Sequence, residues 1–123
     1  LPYYATTKTI QTRGDVLQKF LKATAKGYAY TLANRDAATD LLIKEYPNLV
    51  RADEREALDA LMSFAYNSNT FNNGWGAMDR AVWQEQIQQY ADLGQFTKRV
   101  PKVEEVMTMD ILNATREYRL RNS

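Results

Sequence analysis

The sequence contains neither cysteine nor histidine, and its 123 residues include only 3 prolines and 5 glycines. Without cysteine there is no disulfide, no thiolate nucleophile and no cysteine-ligated zinc. Without histidine, the usual general base near neutral pH and the commonest metal ligand are both missing. Catalysis would have to rest on carboxylates, lysine or tyrosine. The composition therefore predicts no catalytic residue, no metal site and no cofactor in this chain.

The charge balance is close to neutral, with 16 basic and 15 acidic residues and a net charge of +1. This offers no electrostatic case for binding nucleic acid or an anionic membrane. No apolar run reaches the roughly 18 residues of a membrane-spanning helix, and we expect no signal peptide within the chain. Because the first residue is Leu1 rather than Met, we expect a processed product or an excised piece of a longer protein. Residues 1–123 are taken as a single region of one domain or less.

Residues 3–12 are rich in aromatic and β-branched side chains, which predicts a strand. A lone strand leaves its backbone hydrogen-bonding groups unsatisfied, and no second strand of comparable quality follows. We therefore expect either that a partner sheet lies outside this sequence or that two copies pair as a homodimer by strand exchange.

The remainder is predicted to be helical, so the fold class is mostly α with one N-terminal strand. Apolar residues recur at three- and four-residue spacing along four stretches, which lie at about 15–33, 34–47, 53–65 and 79–94. Asn34 and Asp53 are predicted to cap the second and third of these helices.

Four other features of the sequence lie within or between these helices or after them. Gly27 is unfavourable in mid-helix relative to alanine, so we expect a neighbouring helix to pack closely there. Residues 67–74 have loop composition. Pro101 opens a short helical turn. Residues 110–123 are predicted to form a terminal helix or a partly disordered tail.

Two carboxylate clusters, at 53–56 and 104–105, are candidates for acid–base chemistry. Both fall at predicted helix starts, where acidic side chains are favoured for capping alone, so the structural interpretation is preferred. Lys98, Arg99 and Lys102 could bind an anion or simply lie in an exposed loop.

Aromatic residues offer a different kind of candidate site. Tyr3 with Tyr4, and Tyr28 with Tyr30, could stack on a ring-shaped ligand or pack within a core or an interface. Trp75 could line the mouth of a pocket or serve as a structural corner.

The segment 74–79, Gly-Trp-Gly-Ala-Met-Asp, is the most specific local pattern in the chain. Asp79 is predicted to cap the helix that follows. Met78 and Trp83 have the spacing of a hydrophobic staple across that helix start. Its glycines permit the positive φ of a sharp turn beside a bulky indole. The pattern predicts a fixed corner between two helices.

The order of these elements resembles the C-terminal part of a known family. The successive segments are Tyr-Tyr entering the predicted strand, LQKFLKATAKGYAY at 17–30, LANRDAA at 32–38, the corner GWGAMD at 74–79, Trp83, and Leu-Gly at 93–94. This succession is similar to ABC-transporter solute-binding proteins of the nitrate, sulfonate, taurine and thiamine-pyrimidine-precursor group.

The resemblance implies a fragment of a two-lobed, type II periplasmic-binding-protein α/β fold, with residues 1–12 as a crossover strand between lobes. It implies an extracytoplasmic or membrane-anchored protein that partners an ABC permease. Its ligand would be a small heterocycle such as a thiamine pyrimidine precursor, or a sulfonate or nitrate anion. The ligand contacts it implies in this chain are Tyr3, Tyr4 and Trp75, and we expect the chain alone to bind no ligand usefully.

Two alternatives remain open at this point. A pyrimidine-precursor biosynthetic enzyme shares the binding-protein fold, but it uses histidine chemistry, and this chain has no histidine. The chain could also be a free-standing helical interaction domain.

Overall fold

One long helix organises the chain. The computed structural model describes residues 2–119. Its helices are α1 Thr7–Thr12, α2 Gly14–Ala33, α3 Arg35–Glu45, α4 Arg51–Ala65, α5 Ser68–Asn73, α6 Arg80–Asp92, α7 Val103–Val106, α8 Asp110–Asn113 and a 3₁₀ turn Arg116–Tyr118. Helix α2 packs against α1, α3, α8 and the 3₁₀ turn, α3 packs against α4, and α6 packs against α7.

The strand predicted over residues 3–12 is wrong. Residues 2–6 have no regular structure and residues 7–12 form α1. The hydroxyl of Thr6 accepts a hydrogen bond from the backbone N–H of Thr9 at 3.1 Å, so threonine acts here as a helix N-cap rather than as a strand former. The predicted crossover strand at residues 1–12 is therefore not formed over residues 2–12, and Leu1 lies outside the described residues. A homodimer by strand exchange has no strand to exchange in this segment.

The mostly helical prediction is confirmed, since the described residues contain helices and no strand. An α/β fold stays a prediction about a longer protein. The predicted cap at Asn34 differs in detail: Asn34 precedes α3, but its side chain makes no cap hydrogen bond to that helix. Its amide instead donates to the carbonyl of Tyr30, in the last turn of α2, at 2.9 Å. Helix α4 begins at Arg51, so Asp53 lies inside its first turn and is not the cap.

Residues 67–74 are not a loop. Asn67 accepts from the backbone N–H of Thr70 at 3.1 Å and starts the short helix α5. Loop composition is misleading here because asparagine and serine also favour helix N-termini. The helix predicted after Asp79, the turn after Pro101 and the helical start of the 110–123 segment are confirmed; residues 120–123 lie outside the described part.

The main core lies where α2, α4 and the segment around Trp75 meet. Its buried members are Ala25, Met62, Tyr66, Trp75 and Leu112. Ile87 of α6 and Val103 of α7 are also buried. The main core encloses the predicted corner and fixes its position relative to α2.

The close neighbour expected beside Gly27 is absent from the described residues. A Cβ built at Gly27 would meet nothing within 4 Å. The glycine instead lines a shallow hollow of about 400 Å³ between α2 and α4. Among the helices that the structure describes, none is long and apolar enough to cross a membrane.

Candidate functional site

A cleft of about 630 Å³ opens beside the predicted corner. Seven aromatic side chains are among its described lining residues: Tyr3, Tyr4, Phe20, Tyr28, Phe64, Trp75 and Trp83. Smaller apolar residues complete most of the wall. No aspartate, glutamate, lysine or arginine is among the described residues that line it. The cleft has the size and the apolar character of a small-molecule site.

The structure brings all three predicted ligand contacts to this cleft. Trp75 forms part of its floor, because only 5% of the residue is exposed. Tyr3 is 54% exposed and Tyr4 is 97% exposed, so the two tyrosines stand at the mouth. The aromatic side chains thus run from a buried floor to an open rim, and whether they contact a ligand stays a prediction.

Ring-to-ring contacts order the aromatic wall. Tyr3 meets Phe20 edge-on, with centroids 5.6 Å apart and planes at 80°. Its ring lies 6.4 Å from the indole of Trp75. Tyr28 lies closer to the same indole, at 4.9 Å. These spacings fall in the range of favourable aromatic pairs, so several rings are held in fixed relative positions before any ligand binds.

Tyr28 is a cleft residue whose role sequence reasoning left open. The sequence suggests Tyr30 as its partner, but Tyr30 is about half exposed and is not among the described lining residues. Burial raises the pKa of the Tyr3 phenol, and the neighbouring Tyr28 phenol raises it further. The spacing between Tyr28 and the Trp75 corner along the chain is too long for any local pattern to reveal their contact.

The few polar groups of the cleft are largely occupied. Thr70 donates its hydroxyl to the carbonyl of Ala65 at 2.9 Å, and the Asn67 side-chain oxygen accepts from the backbone of Thr70. Behind the wall, burial raises the pKa of Tyr66 to about 12. The Tyr66 hydroxyl is buried and has no hydrogen-bond partner among the described residues. The site as described therefore favours stacking and shape over charge.

The corner itself is confirmed and is held on both flanks. Gly74 and Gly76 have φ values of 93° and 80°, which other residues rarely adopt. The guanidinium of Arg119 approaches Gly74 so closely that a Cβ there would lie 3.1 Å from Nη1. A Cβ at Gly76 would lie 3.3 Å from Leu112. Glycine is thus needed at both positions for conformation and for space.

Asp79 caps α6 as predicted, since its carboxylate accepts from the backbone N–H of Ala81 at 2.8 Å. Met78 and Trp83, the two residues of the predicted staple, both line the cleft. The staple contact between them stays a prediction. The cap fixes where α6 leaves the corner and therefore where Trp83 enters the wall.

Several of the charged candidates take part in ion pairs or lie at helix starts. Glu105 receives both arms of the Arg99 guanidinium at 2.7 Å each and also accepts from the backbone N–H of Lys102. These partners lower the pKa of Glu105 to about 2. Glu104 pairs with Arg80. Asp53 lies in the first turn of α4. Among the described residues no cluster of carboxylates could hold a metal ion, so the capping and ion-pairing interpretation fits these groups.

Comparison with known proteins adds a family to this geometry. Residues 1–38 match the family described as NMT1/THI5 like. Over these residues the chain is similar to that family. The matched segment contains α1, α2 and four rings of the cleft wall, namely Tyr3, Tyr4, Phe20 and Tyr28. The resemblance predicted from the sequence is thereby confirmed at the level of the family.

The chain also has a curated relative. It is 33% identical over 72 residues to the riboflavin-binding protein RibY of Chloroflexus aurantiacus, and this match covers 56% of the chain and 20% of RibY. The chain thus spans about a fifth of the length of this relative. No solved structure matches the chain.

Proposed function

We propose that the protein containing this chain is a solute-binding component of an ABC importer, and that its ligand is a small, planar, uncharged heterocycle. The observation that carries the proposal is the aromatic cleft, which has no ionised side chain among its described lining residues. Flat aromatic ligands gain favourable stacking energy on such a wall. The family match and the relative support a solute-binding role. The relative also supports a heterocyclic ligand, because the name of RibY states that it binds riboflavin.

The lining of the cleft supports one of the two ligand classes that the resemblance implies over the other. Proteins bind sulfonate or nitrate with arginine, lysine or backbone N–H groups at helix N-termini. The described wall offers tyrosine, tryptophan and phenylalanine instead. A heterocycle such as riboflavin or a thiamine pyrimidine precursor fits this wall better than a small anion does.

The proposal includes the cellular setting. A solute-binding protein of an importer acts outside the cytoplasm and delivers its ligand to a permease, so we propose an extracytoplasmic location and a permease partner. Binding without chemical conversion distinguishes this function from the biosynthetic enzyme. Recovery of an unchanged ligand after long incubation with the protein would support the binding role, and a converted product would favour the enzyme.

The ligand class is tested on the protein encoded by the full reading frame. Riboflavin, hydroxymethylpyrimidine, taurine and nitrate are each titrated by calorimetry, and riboflavin fluorescence gives a second readout. We expect saturable binding of at least one of the two heterocycles and none of taurine or nitrate. Binding of an anion with neither heterocycle bound would contradict the proposed ligand class.

One matched pair of variants connects binding to the cleft. Tyr4→Ala removes a ring that is 97% exposed, so it should leave folding intact while it weakens heterocycle binding by about fivefold, the size of one aromatic contact. Tyr46→Ala removes another exposed tyrosine, which is outside the described cleft lining. It should leave binding unchanged. Equal effects of the two variants would place the ligand elsewhere.

A further inference from the structure

We propose that Arg119 is a positioning residue for the ligand cleft, acting through Trp75. The inference rests on the proposed binding function and names a residue that the family resemblance does not. Arg119 is 4% exposed, and its Nη1 donates a hydrogen bond to the backbone carbonyl of Trp75 at 2.9 Å. The bond joins the C-terminal segment to the cleft floor across 44 residues of chain.

The geometry around Gly74 shows that this contact is built into the corner. With φ at 93°, Gly74 turns the backbone so that the carbonyl of the next residue meets the guanidinium. A Cβ at Gly74 would press on Arg119, since it would lie 3.1 Å from Nη1 and 3.3 Å from Cζ. A buried hydrogen bond from a charged donor is stronger than one between neutral groups. The Trp75 backbone is therefore held directly by this guanidinium.

The C-terminal segment that carries Arg119 is itself fixed to α2. The ammonium of Lys22 lies 3.7 Å from the ring centroid of Tyr118, which is within the range of a cation–π contact. The 3₁₀ turn packs on α2. A continuous set of contacts thus runs from α2 through Tyr118 and Arg119 to the carbonyl of Trp75. Tyr28 of the same helix contacts the indole. The backbone carbonyl and the indole of Trp75 are therefore both positioned relative to α2.

The test compares Arg119→Met with Arg99→Met in the protein encoded by the full reading frame. Methionine keeps length and apolar bulk but donates no hydrogen bond. Two readouts are taken: riboflavin affinity by fluorescence titration, and the indole N–H resonance of Trp75, assigned by its loss in Trp75→Phe. We expect Arg119→Met to shift that resonance and to weaken riboflavin binding about tenfold, the size of one lost hydrogen bond from a charged donor. Arg99→Met, which breaks an exposed ion pair, should do neither.

Conservative replacement separates positioning from general stability. Arg119→Lys keeps a donor and a charge, so we expect the Trp75 resonance and the affinity to lie between wild type and Arg119→Met. If Arg119→Met fails to fold, the comparison is made with Arg119→Lys instead. Unchanged affinity and an unmoved resonance would overturn the inference, and so would weakened binding without any shift at Trp75. If wild type binds neither riboflavin nor hydroxymethylpyrimidine, the proposed function fails, while the Trp75 resonance still decides whether Arg119 positions the indole.

Discussion

The ring of Tyr28 lies against the indole of Trp75, with centroids 4.9 Å apart and planes inclined by 41°. This contact joins the middle of α2 to the corner that precedes α6. Both residues line the cleft, and Trp75 also belongs to the main core. The wall of the candidate site is thus part of what stabilises the fold, so changes at the floor of the cleft affect stability as well as binding.

Tyr28→Ala should therefore destabilise the chain by about 2 kcal/mol, because it removes a partly buried aromatic ring that packs against the main core. The matched control is Tyr30→Ala on the same helix, where the ring is about half exposed and the loss should stay below about 1 kcal/mol. Urea unfolding followed by circular dichroism measures both. Equal losses would mean that the Tyr28–Trp75 contact contributes little to the fold.

Gly74→Ala should be more destabilising than Gly94→Ala. Both positions have positive φ, 93° and 67°, and alanine there is strained by about 1–2 kcal/mol. Only at Gly74 would the new Cβ also press on the Arg119 guanidinium, since a Cβ at Gly94 meets nothing within 4 Å. Chemical denaturation of the two variants isolates that difference. A larger loss at Gly94 would contradict the close packing of Arg119 on the corner.

Gly27→Ala should stabilise the 123-residue chain by up to about 1 kcal/mol, the difference in helix propensity between the two residues. The position lies inside α2, and the added methyl group would meet nothing within 4 Å. Thermal and urea unfolding of the chain measure the change. A destabilised variant would reveal a close neighbour on that face, which is what the sequence alone suggests.

Acid should remove a stabilising contribution from Glu105. Its pKa is about 2 in the folded chain against an ordinary 4.5, chiefly because Arg99 donates to it and also because of the Lys102 backbone N–H. A carboxylate with a lowered folded pKa stabilises the fold above its unfolded pKa, and this contribution is lost as the pH falls from about 4.5 to about 2.

Glu105→Gln should accordingly be less stable than wild type at pH 7, and the gap should narrow as the pH approaches 2. Urea midpoints measured across this range test the prediction. The control is Glu56→Gln, an exposed carboxylate that pairs with no residue in the described range. It should show no such pH-dependent gap. A gap that persists unchanged at low pH would exclude the ion pair as its cause.

Local patterns in the sequence predicted the parts of the fold that local physics decides. The apolar spacing of α2 and α6 follows from helix periodicity, and Asp79 caps α6 because its carboxylate reaches the next free N–H groups. The strand prediction for the segment around Thr6 is wrong for a physical reason. Threonine favours both strands and helix caps. Because the described residues offer no partner strand, the hydroxyl of Thr6 instead accepts the backbone N–H of Thr9 as a helix cap.

The same difference between local patterns and long-range contacts applies to the residues of the candidate site. Tyr3, Tyr4 and Trp75 stand out in the sequence, and the structure places them around one cleft. The roles of Tyr28 and Arg119 depend on contacts with Trp75 that join distant parts of the chain. No periodicity or motif encodes such contacts, because they form only when α2, the corner and the C-terminal segment pack together.

The rim of the cleft leads to the last prediction. Tyr4 is 97% exposed and Phe64 is 80% exposed, so the mouth lacks a covering surface in the described part of the chain. Small-molecule sites bury most of their ligand, on the order of 70–90% of its surface. A half-open aromatic wall buries much less and leaves the ligand in contact with water. The 123-residue chain should therefore bind riboflavin, hydroxymethylpyrimidine and taurine too weakly to register at micromolar concentration, whereas the protein encoded by the full reading frame should bind a heterocycle. Calorimetry on both proteins, with circular dichroism to establish that the shorter one is folded, makes the comparison. Micromolar binding by the folded 123-residue chain alone would show that the described cleft is already a complete site.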